Sequence, residues 1–313
     1  MMGVWHFMSL GESPGAVTSA LAYIKRRYEQ NDLAFFGSDS GRSKAKKVSG
    51  IVIFTTPEVR HGQLAARDRK YVDNLYGSDK GQELLLGDAK GNLATFEIVR
   101  RFISDEFRAM LSQEQGKVCW LKASYHNLDF NLRQVVRGFC ALSPPGATGR
   151  EIWVNLTGGS NVMNIAVLLT TVMSGVTGRA YYTYTRDIRL LRPAHEADFW
   201  YDIPVLKVNF DRDYEAILRV LEEQGDWVEA SDLFSRVKQR RPQFRATKES
   251  FAPDYLNKLD GWLIERQDNR NRLSPAGQRF LELIEDDWVR ALIYKEQLRP
   301  RLLPEDVLEE VPL

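Results

Sequence analysis

The chain is poor in the residues that build metal centres and cross-links. It has two cysteines, Cys119 and Cys140, and four histidines, His6, His61, His126 and His195. Cys119 falls in the strand-like KVCWLKA and Cys140 in the helix-like VVRGFCAL, so both read as buried, reduced thiols. No histidine has a partner at metal-ligand spacing, and neither a metal nor a cofactor is expected. An excess of charge of one sign is also missing. Forty-three Lys and Arg oppose 42 Asp and Glu, a formal net charge of +1, so binding to nucleic acid needs a local patch rather than a global field. No apolar run is long enough to span a bilayer, and Met1 to Ser9 lacks the basic flank of a signal peptide. These absences set the expectation of a cytoplasmic protein that does not bind membranes. There is no G-x-G-x-x-G fingerprint, which argues against nicotinamide or flavin chemistry. There is also no internal repeat and no low-complexity tract.

What the chain does have is alternation. GVWHFMSL (3–10) predicts a strand, and AVTSALAYIKRRYE (16–29) an amphipathic helix with Val17, Leu21 and Ile24 on one face. SGIVIFTT (49–56) is the next strand, followed by a helix from Glu58 to Leu75 and a second helix over 93–111. KVCWLKA (117–123), EIWVNLTGG (151–159), GRAYYTYT (178–185) and FWYDIPVLKVNF (199–210) supply further strand, with helices over 129–142 and 161–175 between them. This order predicts an α/β fold: a Rossmann-like, mainly parallel sheet with helices on both faces, spanning 1–210. Such sheets bind ligands beyond the carboxyl ends of their strands.

Two strand-to-helix turns carry most of the functional signal. The sequence Thr157-Gly158-Gly159-Ser160 closes one strand and opens a helix. Amide groups there have no helical partner and carry partial positive charge, which suits phosphate or other polar ligand atoms. Glycine lets a ligand approach the backbone, and Thr157 and Ser160 add hydroxyls. SLGESPGAV (9–17) repeats the arrangement with Gly11, Ser13 and Gly15. Thr55 and Thr56, and Ser124, are expected on the same rim. The structural alternative is a pair of ordinary turns with capping hydroxyls. A basic loop with Arg42, Lys44, Lys46 and Lys47 reads either as solvated surface or as added positive charge for the site.

The stretch IWVNLTGGSNVMNIAVLLTTVMSGVTGRAYYTY (152–184) resembles the glycine motif of CRISPR-associated Rossmann-fold (CARF) domains, and FMSLGESPGAVTSAL (7–21) resembles their first strand-turn-helix. The resemblance implies a homodimer that binds one cyclic oligoadenylate across its two-fold axis, with cyclic tetra-adenylate favoured. The ring would meet Thr157, Gly158, Gly159, Ser160 and Asn161 through phosphate or ribose, and Ser9, Gly11 and Ser13 through ribose or base edges, with Thr55 on the rim. Many family members place a lysine after the TGG-Ser/Thr element. This chain has Asn161, which brings no charge to a phosphate.

Beyond Asp211 the pattern changes. Helices over 213–225, 230–240 (Ser231 as N-cap) and within 247–266, a turn at 267–272, and a helix over 274–288 capped by Ser274 with Pro275 at its first position predict a winged helix-turn-helix over 211–290. Residues 291–313 are expected as a tail. In this reading Ser250 caps the third helix, with Lys248, Tyr255 and Lys258 facing duplex DNA and Leu256, Leu259 and Trp262 packing inward. Arg270 and Arg272 form a phosphate clamp on the wing. Acidic Glu249, Asp254 and Asp260 oppose phosphate.

Two functions follow. One is a regulator in which a bound ring is relayed to a DNA-binding winged helix. The other is a metal-independent ring nuclease that degrades the cyclic oligoadenylate, in which a ribose 2′-hydroxyl attacks the adjacent phosphate, the protein supplies positioning and the winged helix serves dimerisation. Ser9, Ser13, Thr157 and Ser160 are its candidate catalytic residues, and whether the protein is an enzyme stays open at this level. No histidine follows His195, so the last third cannot hold an R-x4-6-H ribonuclease motif.

Overall fold

Val4 to Leu10 is buried without interruption, as a strand covered on both faces of a parallel sheet must be. The computed structural model describes residues 3–30, 32, 35, 48–62, 95–113, 116–142, 150–174, 177–183, 200–204, 210–294 and 307–312. Its residues divide into two units, 1–208 with 297–313, and 209–296.

The first unit is a mixed α/β layer structure. Strands β1 (Gly3–Leu10), β2 (Val48–Thr55), β3 (Lys117–Lys122), β4 (Arg150–Asn155) and β5 (Thr177–Thr183) run parallel in the order β3-β2-β1-β4-β5. β6 (Trp200–Ile203) adds antiparallel to β5 at one edge. The other edge is a correction. The segment 291–313, expected as a tail, contributes a strand at Val307–Pro312 that pairs antiparallel with β3. A seven-stranded, mainly parallel sheet results, consistent with a Rossmann-like fold.

Helices α1 (Gly15–Glu29) and α3 (Thr95–Gln113) cover one face, over Val4, Met8, Ile51, Ile53, Trp120 and Trp153. α4 (Leu128–Leu142) covers the other, where Gly138 lies against Phe7, Phe54 and Leu121 and Phe139 meets Phe7 edge-to-face at 4.6 Å. Beside it α5 (Asn161–Ser174) buries Met163, Ala166 and Val167. The helix expected from Glu58 is described over Pro57–Arg60 (α2). Its continuation and the basic loop of Arg42, Lys44, Lys46 and Lys47 lie outside the described residues. Cys119 and Cys140 are buried thiols.

The chain leaves β1 toward β2 through α1 and leaves β4 toward β5 through α5, on opposite faces and in opposite directions. The strand order therefore reverses between β1 and β4, and their carboxyl ends mark the switch point at which sheets of this kind bind ligands.

The second unit is built from short elements. α6 (Arg212–Gln224) starts at Asp211, whose carboxylate accepts from the Asp213 and Tyr214 amides, and ends at Gly225 with φ 66°. Then come β7 (Val228–Glu229), α7 (Ala230–Arg240) and α8 (Lys248–Phe251). A π-turn over Ala252–Leu256 and the short α9 (Asn257–Leu259) follow. β8 (Ile264–Gln267) and β9 (Arg270–Leu273) form a hairpin that turns at Asp268, φ 53°, and β7 joins it in the order β7-β9-β8. α10 (Pro275–Ile284) is capped by Ser274, and α11 (Asp287–Tyr294) closes the unit.

Candidate functional site

The two turns singled out in the sequence are the carboxyl ends of β1 and β4, the strands that flank the switch point. They touch each other. A Cβ on Gly11 would sit 3.3 Å from the Gly159 Cα, and one on Gly158 would fall 2.0 Å from the Ser9 carbonyl oxygen. Gly159 has φ +77°, and a Cβ there would meet the Ser9 side chain at 2.5 Å. The double glycine is thus required first by backbone-to-backbone packing of one turn on the other. This corrects the idea that both glycines clear a path for a ligand, because the space beside Gly158 is filled by β1.

Asn155 joins the two turns, and sequence reasoning missed it. Fully buried at the end of β4, it donates from Nδ2 to the Ala16 carbonyl at 3.1 Å and accepts through Oδ1 from the Thr157 amide at 2.8 Å. The first turn is pinned further by Thr55, whose hydroxyl donates to the Leu10 carbonyl at 3.2 Å, and by Thr95, whose hydroxyl donates to the Glu12 carbonyl at 3.0 Å. Thr55 is fully buried and serves the frame rather than the rim surface. A buried side-chain amide after a strand is the signal that could have identified Asn155, since such a group must find partners.

The hydroxyls divide by environment. Thr157 Oγ1 accepts from the Thr183 amide at 2.7 Å and lies 2.8 Å from Thr183 Oγ1, so it ties the turn to β5. Ser160 Oγ accepts from the Met163 amide at 3.3 Å, as an N-cap of α5 does. Ser9 is fully buried beneath Gly159, with no hydrogen-bond partner for its hydroxyl among the described residues. Ser13 is half-buried in the first turn, and Asn161 is exposed at the start of α5. Gly11 is buried; the solvent-facing part of the two turns comprises Glu12, Ser13, Gly159, Ser160 and Asn161, together with the first-turn amides of α5, which have no intrahelical acceptor. Thr56 is buried as the N-cap of α2, and the Ser124 hydroxyl accepts from the His126 and Asn127 amides. Both therefore serve local turns.

In the second unit several expectations change. Thr247 caps α8, and Ser250 makes the reciprocal bond from the helix side. Glu229, not Ser231, stands at the N-cap position of α7. Pro253 has no amide hydrogen to continue the helical ladder, and the chain passes through a π-turn in which the Asn257 amide reaches the Ala252 carbonyl. Tyr255, expected outside, packs on Tyr214 and Phe244 at centroid distances of 5.2 and 4.9 Å and donates to Asp213. Asp213 also receives Arg241. Burial and this carboxylate push the Tyr255 hydroxyl up to about 12. Trp262, expected inside, is 48% exposed, and Leu263 takes the core position. On the hairpin Arg272 pairs with Glu265 and lies over the Trp227 ring at 4.7 Å. Arg270, Lys248 and Lys258 are exposed. No group of metal-ligating side chains occurs among the described residues.

No family model matches the chain. An uncharacterised protein of Archaeoglobus fulgidus is 23% identical over 216 residues, which cover 65% of this chain and 62% of that relative's length. Enterococcus italicus Csm6, solved bound to cyclic hexa-2′-fluoro-hexa-dAMP, superposes with a TM-score of 0.35 at 11% identity, covering 81% of this chain and 52% of that one. This chain therefore spans less than two thirds of either protein.

Proposed function

We propose that the protein is a ligand-controlled regulator whose first unit binds a cyclic oligoadenylate, with cyclic tetra-adenylate favoured. The carrying observation is the pair of polar turns packed against each other at the switch point between β1 and β4. A crevice there, faced by Ser13, Gly159, Ser160 and the first amides of α5, suits ribose and phosphate oxygens. The identity of the ring comes from the likeness of residues 152–184 and 7–21 to CARF domains.

The same reading makes the protein a homodimer. Ile165, Leu168 and Leu169 of α5 are 47%, 36% and 38% exposed and form one stripe at helical spacing, beginning one turn below Asn161. An apolar stripe of this kind marks an interaction surface. A second copy placed across a two-fold axis would bury it and bring two glycine turns to one ring. The second unit is read as a winged helix: its order of helix, strand, helix, helix, hairpin and helix supports this. Exposed Lys248, Lys258 and Arg270 supply phosphate contacts to duplex DNA.

The test pairs two measurements. Fluorescence anisotropy with labelled cyclic tetra-adenylate, competed by cyclic tetra-, cyclic hexa- and linear tetra-adenylate, should show displacement by rings and much weaker displacement by the linear form. A gel shift on duplex DNA should respond to the ring, with Lys258→Ala and Arg270→Ala each lowering the salt slope by roughly one. Equal competition by linear and cyclic forms contradicts the ring site. DNA binding absent at low salt contradicts the regulator.

A further inference from the structure

Six large apolar or aromatic side chains are more than a third exposed among the described residues, and three of them form the α5 stripe. Two of the others, Tyr182 and Tyr201, are direct cross-strand partners on β5 and β6, 37% and 50% exposed. Buried Tyr181 stacks on Trp200 at 3.9 Å on the α1 side of the sheet. Strand alternation therefore sends Tyr182 and Tyr201 to the opposite side, the face that α5 covers.

Their place along the strand matters more than their exposure. Tyr182 lies between two residues bonded to the glycine turn: the Tyr181 carbonyl accepts from the Leu156 amide at 2.9 Å, and the Thr183 amide donates to Thr157 Oγ1 at 2.7 Å. Neighbouring strands are about 4.8 Å apart, so the Tyr182 backbone runs beside the first residues of the turn. Its ring stands on the face from which α5 starts. Nothing in the hydrophobic core needs an exposed tyrosine pair at this point.

We propose that Tyr182, backed by Tyr201, is a stacking platform for a nucleobase of the ligand held at the glycine turn. The inference rests on the nucleotide reading of that site. A tyrosine face stacks on any base, and its cross-strand neighbour holds the ring upright. The platform supplies apolar contact to a base, which the amides and hydroxyls of the turn do not.

The experiment measures cyclic tetra-adenylate binding calorimetrically to wild type, Tyr182→Ala, Tyr182→Phe and Tyr201→Ala, with sedimentation and thermal melting on each. Tyr182→Ala should weaken binding roughly 5- to 150-fold, as loss of one base stack does. Tyr182→Phe should stay within a few-fold of wild type, and Tyr201→Ala should fall between them. Assembly and melting temperature should not move. Unchanged affinity in Tyr182→Ala overturns the proposal, as does a loss of binding that tracks a loss of dimer. A wild-type protein that binds no cyclic tetra-adenylate overturns the site reading itself and the platform with it.

Discussion

Gly158 has no room for a methyl group, whereas Gly225 has room but an unusual backbone. A Cβ at Gly158 would lie 2.0 Å from a backbone oxygen, while at Gly225 nothing lies within 4 Å and only φ +66° opposes substitution. Gly158→Ala should therefore cost several kcal/mol, in the range of severe overpacking, and Gly225→Ala only about 1 kcal/mol. Urea unfolding of the two variants checks the difference. His6 makes a second residue-scale prediction. It is fully buried, meets Trp153 edge-on at 5.4 Å, and has no hydrogen-bond partner among the described residues for either ring nitrogen. Burial lowers its pKa from 6.5 to about 3. The folded state then binds fewer protons than the unfolded chain between these values, so stability is whole above pH 6.5 and falls as pH drops toward 3. The slope from this one group is at most about 1.4 kcal/mol per pH unit. In His6→Leu this contribution should vanish, seen as a flatter stability profile between pH 6.5 and 4.

At the scale of elements, α5 does two things with one helix. Its buried side closes the sheet, while its N-terminus follows directly on the glycine turn. Replacing Leu168 by Glu adds a charge to the exposed stripe without touching the buried face. Leu168→Glu should yield monomers in sedimentation with an unchanged melting transition at high dilution; a dimer that persists contradicts the assembly proposal. Asn155 is the element-level joint. Asn155→Leu would strand the Thr157 amide, at a cost of about 1–3 kcal/mol, while the Ala16 carbonyl keeps its place in the α1 ladder; the change should loosen the joint between the two turns. Much of this level was readable beforehand. Continuous apolar strands, alternating periods and the Ser274-Pro275 start of α10 announce themselves locally. What was not readable depends on long-range partners. Nothing near Val307 says that the strand pairs with β3. Tyr255, half-buried, lies on Tyr214 and Phe244 and donates to Asp213, 42 residues earlier. Leu256 and Leu259 pack inward as expected, but the helix ends at Leu259 and the chain turns at Gly261, φ 70°, so Trp262 falls in a turn and Leu263 takes the core position.

For the whole molecule, the mainly parallel sheet could be foreseen from the alternation of strands and helices, whereas the strand order that reverses between β1 and β4 is read only from the structure. The contact between the two turns could not, because it depends on missing Cβ atoms meeting across two strands. The packing explanation and the proposed ligand explanation of Thr157-Gly158-Gly159-Ser160 are compatible: Gly158 and Thr157 serve the frame, which leaves Gly159, Ser160 and Asn161 for the proposed ligand. Isothermal titration of the full chain with cyclic tetra-adenylate tests this division most directly. The account predicts saturable binding with one ring per two chains, and weaker binding after Asn155→Leu. Heats no larger than dilution for cyclic tetra- and hexa-adenylate, with a folded protein in the cell, would contradict it.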